Sequence, residues 1–350
     1  NKKIFRCLQF FMKNKLVILQ INEVNFDLVK KYISLGHLKN FQFFIEKFNF
    51  IETDSESKHE NLEPWIQWVS FYSGKSYDEH KVSHLNEFDK DQWNFFIDLE
   101  KKYKKKLALL FPMNLKNVFT EETFFIPDPW TETKINADII TKKIFFIFKK
   151  IILENASNKI KLLDYLTILL FCIFKTSFKF KVFLLKNLNK IAKYKFFKAI
   201  IFDRLCWEIY LKSSKVKDSD ISSLFLNACA HVQHHYFLNS KAKSFKSSNP
   251  SWYMSGIDPI FECLKSYDEM LGEFKKLKNI DFIMLTGLSQ SVIEEPIFYY
   301  NLKKPEVFFK TINVNYSKII KRMSRDYTLE FQSAEEASKA YNHLINLKLN

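Results

Sequence analysis

Carboxylates, imidazoles and amides gather at four places in the sequence. Asn22-Glu23-Val24-Asn25-Phe26-Asp27 follows an apolar run directly, and Glu63-Pro64-Trp65-Ile66-Gln67-Trp68 opens a second apolar stretch. Thr286-Gly287-Leu288-Ser289-Gln290 follows another apolar run, and Ala230-His231-Val232-Gln233-His234-His235 packs three imidazoles into five positions. Carboxylate with imidazole makes either a general acid/base set or part of a metal-ligand set. His231 and His235 are spaced i, i+4 and share one face of a helix, with His234 about one residue off that face. A Gly-rich phosphate loop, a GxSxG elbow, an HExxH zinc motif and a dinucleotide fingerprint are all missing from the sequence.

The elements that must position these groups read as a parallel α/β fold. Lys15–Asn22, Leu107–Phe111 and Ile280–Leu285 are short apolar runs rich in branched residues, the pattern of strands buried on both faces. Phe50–Thr53 and Val307–Ile312 read as further short strands, Phe124–Ile126 precedes a Pro-Asp-Pro turn, and Tyr327–Phe331 alternates. Phe26–Ile33, Leu38–Phe48, Gln92–Lys101 and Ile257–Leu277 have helical apolar spacing. Pro64 opens a helix that Gly74 stops, and Ser333-Ala334-Glu335-Glu336 is a capping box for a last helix running to about residue 347. From Asn136 to Phe237 the pattern is helical throughout, as in a cap inserted into an α/β chain. The expected architecture is one domain over 1–350: a three-layer sandwich with a mainly parallel central sheet, helices on both faces and a helical cap at 136–237. Ser240–Ser251 reads as a polar loop. In such a sheet, ligands bind at the carboxyl ends of the strands, where the first, second and third of the four segments fall.

The 350 residues carry 54 Lys and Arg against 39 Asp and Glu, a formal charge of +15. That balance suits anionic partners, yet no nucleic-acid-binding signature accompanies it, and specific nucleic-acid binding is not expected. A surface enriched in lysine by coding bias reads equally well. The five cysteines are scattered, without CxxC or zinc spacing, which fits reduced thiols in a cytoplasmic protein. The basic, apolar first fourteen residues lack the run and cleavage site of a signal peptide. No stretch reaches the roughly 18 apolar residues of a membrane span. The nearest is Tyr165–Phe174, followed by Lys175, Lys179 and Lys181. It reads as a buried core helix or as a helix on an anionic membrane face, giving peripheral membrane contact through 160–185.

Several motifs, taken in order, resemble the alkaline phosphatase-like superfamily, in particular its type I phosphodiesterase and nucleotide pyrophosphatase branch. Ile21-Asn22-Glu23 with Phe26-Asp27-Leu28 resembles the family's first strand running into its Asp. Gly36-His37-Leu38-Lys39-Asn40-Phe41 is similar to its next helix start. Trp68-Val69-Ser70-Phe71-Tyr72-Ser73-Gly74-Lys75, with His80 behind it, resembles the end of the nucleophile segment. Gln233-His234 and Tyr267-Asp268-Glu269-Met270-Leu271-Gly272 match later motifs, and Ile283-Met284-Leu285 runs into Thr286-Gly287-Leu288-Ser289 where the family has its last metal-binding strand end.

The resemblance implies a two-metal site, usually zinc, and a Thr or Ser nucleophile, but the corresponding positions have changed. The first metal Asp falls on Asn22, the nucleophile near Glu63 or Pro64, another Asp on Ala230, and an Asp-His pair on Gly287 and Leu288. Only His234 remains as a matched ligand, so the usual two-metal site is not expected, although a divalent ion such as zinc stays compatible with the donor types. Two readings follow. In one, the chain is a hydrolase or transferase for a phosphate or sulfate ester of a nucleotide or glycoconjugate. Its rebuilt site would use Glu23, Glu63 and His234 as catalytic groups, with Asn22, Trp65, Gln67, Ser289, Gln290, His231 and His235 binding substrate. In the other, a catalytically inactive member keeps the scaffold to bind a ligand or partner, with Trp68 also lining its pocket. Either way the partner is a small anionic or glycosyl molecule. Lys321-Arg322-Met323-Ser324-Arg325 reads as an anion site or a solvated basic loop.

Overall fold

The computed structural model describes residues 14–58, 61–88, 93–153, 161–242, 256–277, 279–291, 302–321 and 327–347. Contacts divide the chain into two compact units, Asn1–Val292 and Ile293–Asn350, where the sequence suggests one domain.

The first unit is α/β. Its sheet is built from β1 (Lys15–Ile21), β2 (Leu107–Leu110), β3 (Phe124–Ile126), β4 (Ile221–Leu226) and β5 (Ile280–Leu285), in the order β3-β2-β4-β1-β5. Every pairing is parallel. Ile21 pairs with Leu226 and Gln20 with Leu285, so three strands end at one level. The chain leaves β1 toward β2 and leaves β4 toward β5, in opposite directions along the sheet. Such a divergence opens a crevice at the strands' carboxyl edge.

β4 corrects the reading of 136–237 as helical throughout. Its sequence ISSLFL carries two serines where a buried strand is usually apolar, yet all six residues are buried. Adjacent side chains of a strand point to opposite faces. The Ser222 hydroxyl lies 2.8 Å from the Tyr210 hydroxyl, on the helix Phe197–Lys212. Ser223 accepts from Gln20 Nε2 at 3.1 Å, and the Gln20 side-chain oxygen accepts from Tyr72, on the helix Pro64–Ser73, at 2.9 Å. One helix therefore covers each face, as in a three-layer sandwich, and the serine polarity is fully satisfied. The helices between β3 and β4 run from Ile139 to Asp218.

Two other expected strands are absent. Phe50–Thr53 is irregular and Ile51 is largely exposed, so nothing there rewards extended pairing. Val307–Ile312 falls on the helix Pro305–Thr311 and its C-cap, Ile312; the proline fixes the first turn and Phe309 is buried. Of the expected caps, Gly74 ends its helix at φ +63° and Ser333 accepts from Glu336 N at 3.2 Å; the structure adds Asn25, which accepts from Leu28 N at 2.9 Å.

The second unit pairs β6 (Lys318–Lys321) and β7 (Tyr327–Glu330) antiparallel, with a small core of Phe309, Val314 and Ala340. Ser240–Ser251 and the Lys321–Arg325 cluster fall mostly outside the described residues. Among the described residues, no helix is long and apolar enough to cross a membrane.

Candidate functional site

The carboxyl edge gathers its groups through the backbone first. Asn22 N donates to Leu226 O at 3.0 Å and Glu23 N to Thr286 O at 2.9 Å, so the two residues after β1 are tied to β4 and β5 in turn. Glu23 then adopts the left-handed region at φ +57°. That conformation is disfavoured by about 1 kcal/mol or more for a residue with a β-carbon. It is held by Gln233 Nε2, which donates to Glu23 O at 2.6 Å, and by Gln233 Oε1, which accepts from Asn25 N at 3.0 Å.

The side chains form one connected network. Asn22 Nδ2 donates to Glu23 Oε1 at 3.0 Å and to Asn227 Oδ1 at 2.8 Å, while Asn22 Oδ1 accepts from the Trp68 indole at 2.7 Å. Gln290 Nε2 donates to Glu23 Oε2, and Asn25 Nδ2 donates to Gln290 O at 2.6 Å. His234 Nε2 lies 3.2 Å from Glu23 Oε2. The Glu23 side chain is 6% exposed and that of His234 is 60% exposed. A buried carboxylate thus orients an imidazole whose other nitrogen lies on the far side of the ring.

Burial works against charge on His234. The hydrogen bond and negative charge of Glu23, with the charge of Glu63 behind them, outweigh it and raise the imidazole above its ordinary value. His231 is pushed the other way, to about 4, by partial enclosure and then by the charges of His235 and His234. Enclosure and the charge of His234 also lower His235. His231 and His235 stack edge to face at 4.8 Å, as their spacing implies.

The edge therefore unites Asn22, Glu23, His234 and Gln290. Glu63 lies at the start of the Pro64–Ser73 helix and joins them through its field on His234. Trp65 and Gln67 engage elsewhere: the Trp65 indole donates to Ser83 O at 3.0 Å, and the buried Gln67 amide to Asn61 O at 2.9 Å. Ser289 is exposed beside the edge. Asn227 is the participant that sequence reasoning missed, because it follows the unrecognised β4. An Asn directly behind a six-residue buried run was the available signal.

Two supports lie beneath the network. Gly287 has φ +70°, and a β-carbon there would sit 2.7 Å from the Trp68 ring, so only glycine lets the indole reach Asn22. The buried Asp203 carboxylate accepts from Ala228 N at 2.7 Å and from the Tyr267 hydroxyl at 2.5 Å. It fixes the start of the Ala228–Tyr236 helix that carries His234. Burial raises its carboxyl to about 6, against the hydrogen bonds it accepts.

The neighbouring Ser70 and His80 resemble a nucleophile and base only at first sight, with Oγ and Nε2 3.0 Å apart. His80 Nδ1 accepts from Val82 N at 3.0 Å. The neutral ring therefore carries its proton on Nε2 and donates to Ser70, the reverse of what a general base requires. Burial first, with Lys75 nearby, lowers His80 and favours that neutral form.

The donors do not fit a pair of metal ions. Asn22 turns both amide hydrogens inward, toward Glu23 and Asn227. Among the described residues no three His, Cys, Asp or Glu side chains stand close enough to share an ion. A cavity of about 490 Å³ lies elsewhere, where Glu121–Phe124 enters β3, among Asp138, Lys175, Lys212 and Lys215. None of the strand-end network lines it. The chain matches no protein-family model, no curated protein and no solved structure.

Proposed function

We propose that the chain is a hydrolase or transferase for a phosphate or sulfate ester, of the nucleotide or glycoconjugate class, with a rebuilt alkaline phosphatase-like site centred on Glu23 and His234. The observation that carries this reading is the buried Glu23 carboxylate 3.2 Å from an imidazole that is 60% exposed, at the carboxyl edge of a parallel sheet. Glu23 raises the His234 imidazole above its ordinary value and so favours its protonated form. The charged ring attracts the anionic ester and can donate its proton to the departing oxygen. Glu63 supplies a second carboxylate to orient the attacking hydroxyl or water. The test is turnover of chromogenic phosphomonoesters, phosphodiesters and aryl sulfates by the purified chain and by His234→Ala. The variant should lose about 10²–10⁴-fold in rate. Equal rates in both proteins would sink the reading.

A second reading rests on Asn22. Its amide donates both hydrogens and accepts one within the edge, so this network is saturated by its own members. That favours a catalytically inactive scaffold which binds a sugar or nucleotide through His234 and Ser289. Saturable calorimetric binding of such a ligand, with no turnover of any ester, would decide for it. The described cysteines, Cys172, Cys206, Cys229 and Cys263, are buried free thiols, which supports a cytoplasmic setting. Recovery of the native chain in an oxidising compartment on cell fractionation would overturn that setting.

A further inference from the structure

The helix Leu162–Lys175 buries Phe171 and Cys172. Leu162, Leu166, Leu169, Leu170, Ile173 and Phe174 are each 45–75% exposed. Their positions, i, i+4, i+7, i+8, i+11 and i+12, form one continuous stripe along the helix. An ordinary surface helix turns such a stripe inward; this one turns it to solvent. Phe178, at the start of the next helix, is also exposed. A contiguous exposed apolar face of this kind marks a docking surface.

The charge around the stripe identifies what docks. Residues 161–200 contain nine lysines and one acidic residue, Asp164, a formal +8 within a chain total of +15, although Lys179 and Lys190 are paired with Glu273 and Glu262 from another helix. Asp164 is itself engaged by Lys150 at 2.8 Å. Exposed Lys161 and Lys175 bracket the stripe at its two ends. A second copy of the chain would bring these lysines against like charges. An anionic lipid surface accepts the leucines and phenylalanines among its acyl chains and the ammonium groups among its headgroups. At 14 residues the helix is about 21 Å long. That is short of the roughly 30 Å hydrocarbon core, so it suits lying in the interface rather than crossing it.

We propose that Leu162–Phe178 is a monotopic anchor that seats the protein on an anionic membrane. The anchor is independent of how the strand-end site is read. The test is co-flotation of the full chain with vesicles of phosphatidylcholine alone or mixed with phosphatidylglycerol, scored without substrate. The chain should float with the mixed vesicles, and added salt should weaken the association. The triple variant Leu166→Gln, Leu170→Gln, Phe174→Gln should reduce partitioning about tenfold or more. Because these side chains are exposed, its thermal melt should match the parent's. Lys161→Glu with Lys175→Glu should cut binding to the mixed vesicles while leaving the apolar stripe intact. Tyr165→Trp supplies a second readout, a blue shift of its emission on the mixed vesicles. Absence of flotation and of the blue shift would overturn the proposal. So would a concentration-dependent dimer, or a complex with an acidic protein, that the triple variant abolishes while vesicle association stays unchanged.

Discussion

The Trp68 indole donates to the Asn22 side-chain oxygen over 2.7 Å, and the same ring occupies the space beside Gly287 where a β-carbon would stand. The end of β1, the Pro64–Ser73 helix and the turn after β5 are thereby locked at a single point. The ring also packs edge to face on Phe225 of β4, with centroids 5.4 Å apart.

Gly287→Ala should therefore be costly out of proportion to its size. The added carbon meets the indole at 2.7 Å, and the φ of +70° strains any residue with a side chain. We expect a loss of about 1–3 kcal/mol in urea unfolding. A melt indistinguishable from the parent would mean that Trp68 is free to move aside.

Asn22→Asp tests the exchange of amide for carboxylate most directly. It deletes the donor that now reaches Glu23 and Asn227, and sets two carboxylates side by side. A loss of about 2–4 kcal/mol is expected at neutral pH. The like charges raise a carboxyl pKa in the folded state, so the fold binds a proton more tightly than the unfolded chain. The deficit should shrink as pH falls through that raised value. Unfolding at neutral and mildly acid pH measures it, and a deficit that does not shrink counts against the explanation.

His234 gives a prediction of the opposite kind. Its folded pKa lies above the ordinary 6.5, so its stabilisation is complete below 6.5 and is lost as pH rises through the folded value. Glu23→Gln removes the main cause and should move the His234 midpoint down in an NMR titration of the ring protons. An unmoved midpoint would show that Glu23 does not control the imidazole.

Asp203 sets a separate window. Its carboxyl titrates at about 6 in the fold, against 3.8 ordinarily, so the folded state holds the extra proton between these values. Stability should fall as pH rises from about 4 to about 6. Asp203→Asn should flatten that stretch of the curve while an amide oxygen still accepts from Ala228 N. An unchanged slope would place the titration elsewhere.

The sequence made some of this legible and hid the rest for physical reasons. β1, β2 and β5 announce themselves as apolar runs, and the first puts Asn22 and Glu23 at a strand end without further information. The caps at Gly74 and Ser333 are local chemistry and were readable locally, whereas the Asn25 cap was not read although its chemistry is equally local. β4 was not, because Ser222 and Ser223 find their partners in Tyr210 and in Gln20 with Tyr72, all distant in sequence or on another element. Losing β4 also lost Asn227. Pro64 placed Trp65 and Gln67 at the start of a helix beside Glu63, but nothing local shows that they turn toward Ser83 and Asn61 rather than toward the crevice. The apolar pattern of Tyr165–Phe174 fits a buried and an exposed helix equally well, and only packing separates the two.

The strand order has a consequence for how the molecule comes into being. β1 is made first, yet both its neighbours, β4 and β5, come from the far end of the first unit, Leu16 meeting Ile221 and Lys15 meeting Ile280. Among the described strands of the first unit, only β2 and β3 are neighbours in both chain and sheet. At ribosomal speeds of about 5–20 residues per second, β1 waits roughly 10–40 s for its first partner. Closing loops of that length is slow, and it leaves apolar strand edges bare in the interval. The helices between β3 and β4, with their exposed leucines, leave the ribosome during the same wait. Asn22 can meet Asn227 once β4 has docked, but Glu23 gains Gln290 only with β5, so the network at this edge is completed by the last strand of the first unit's sheet.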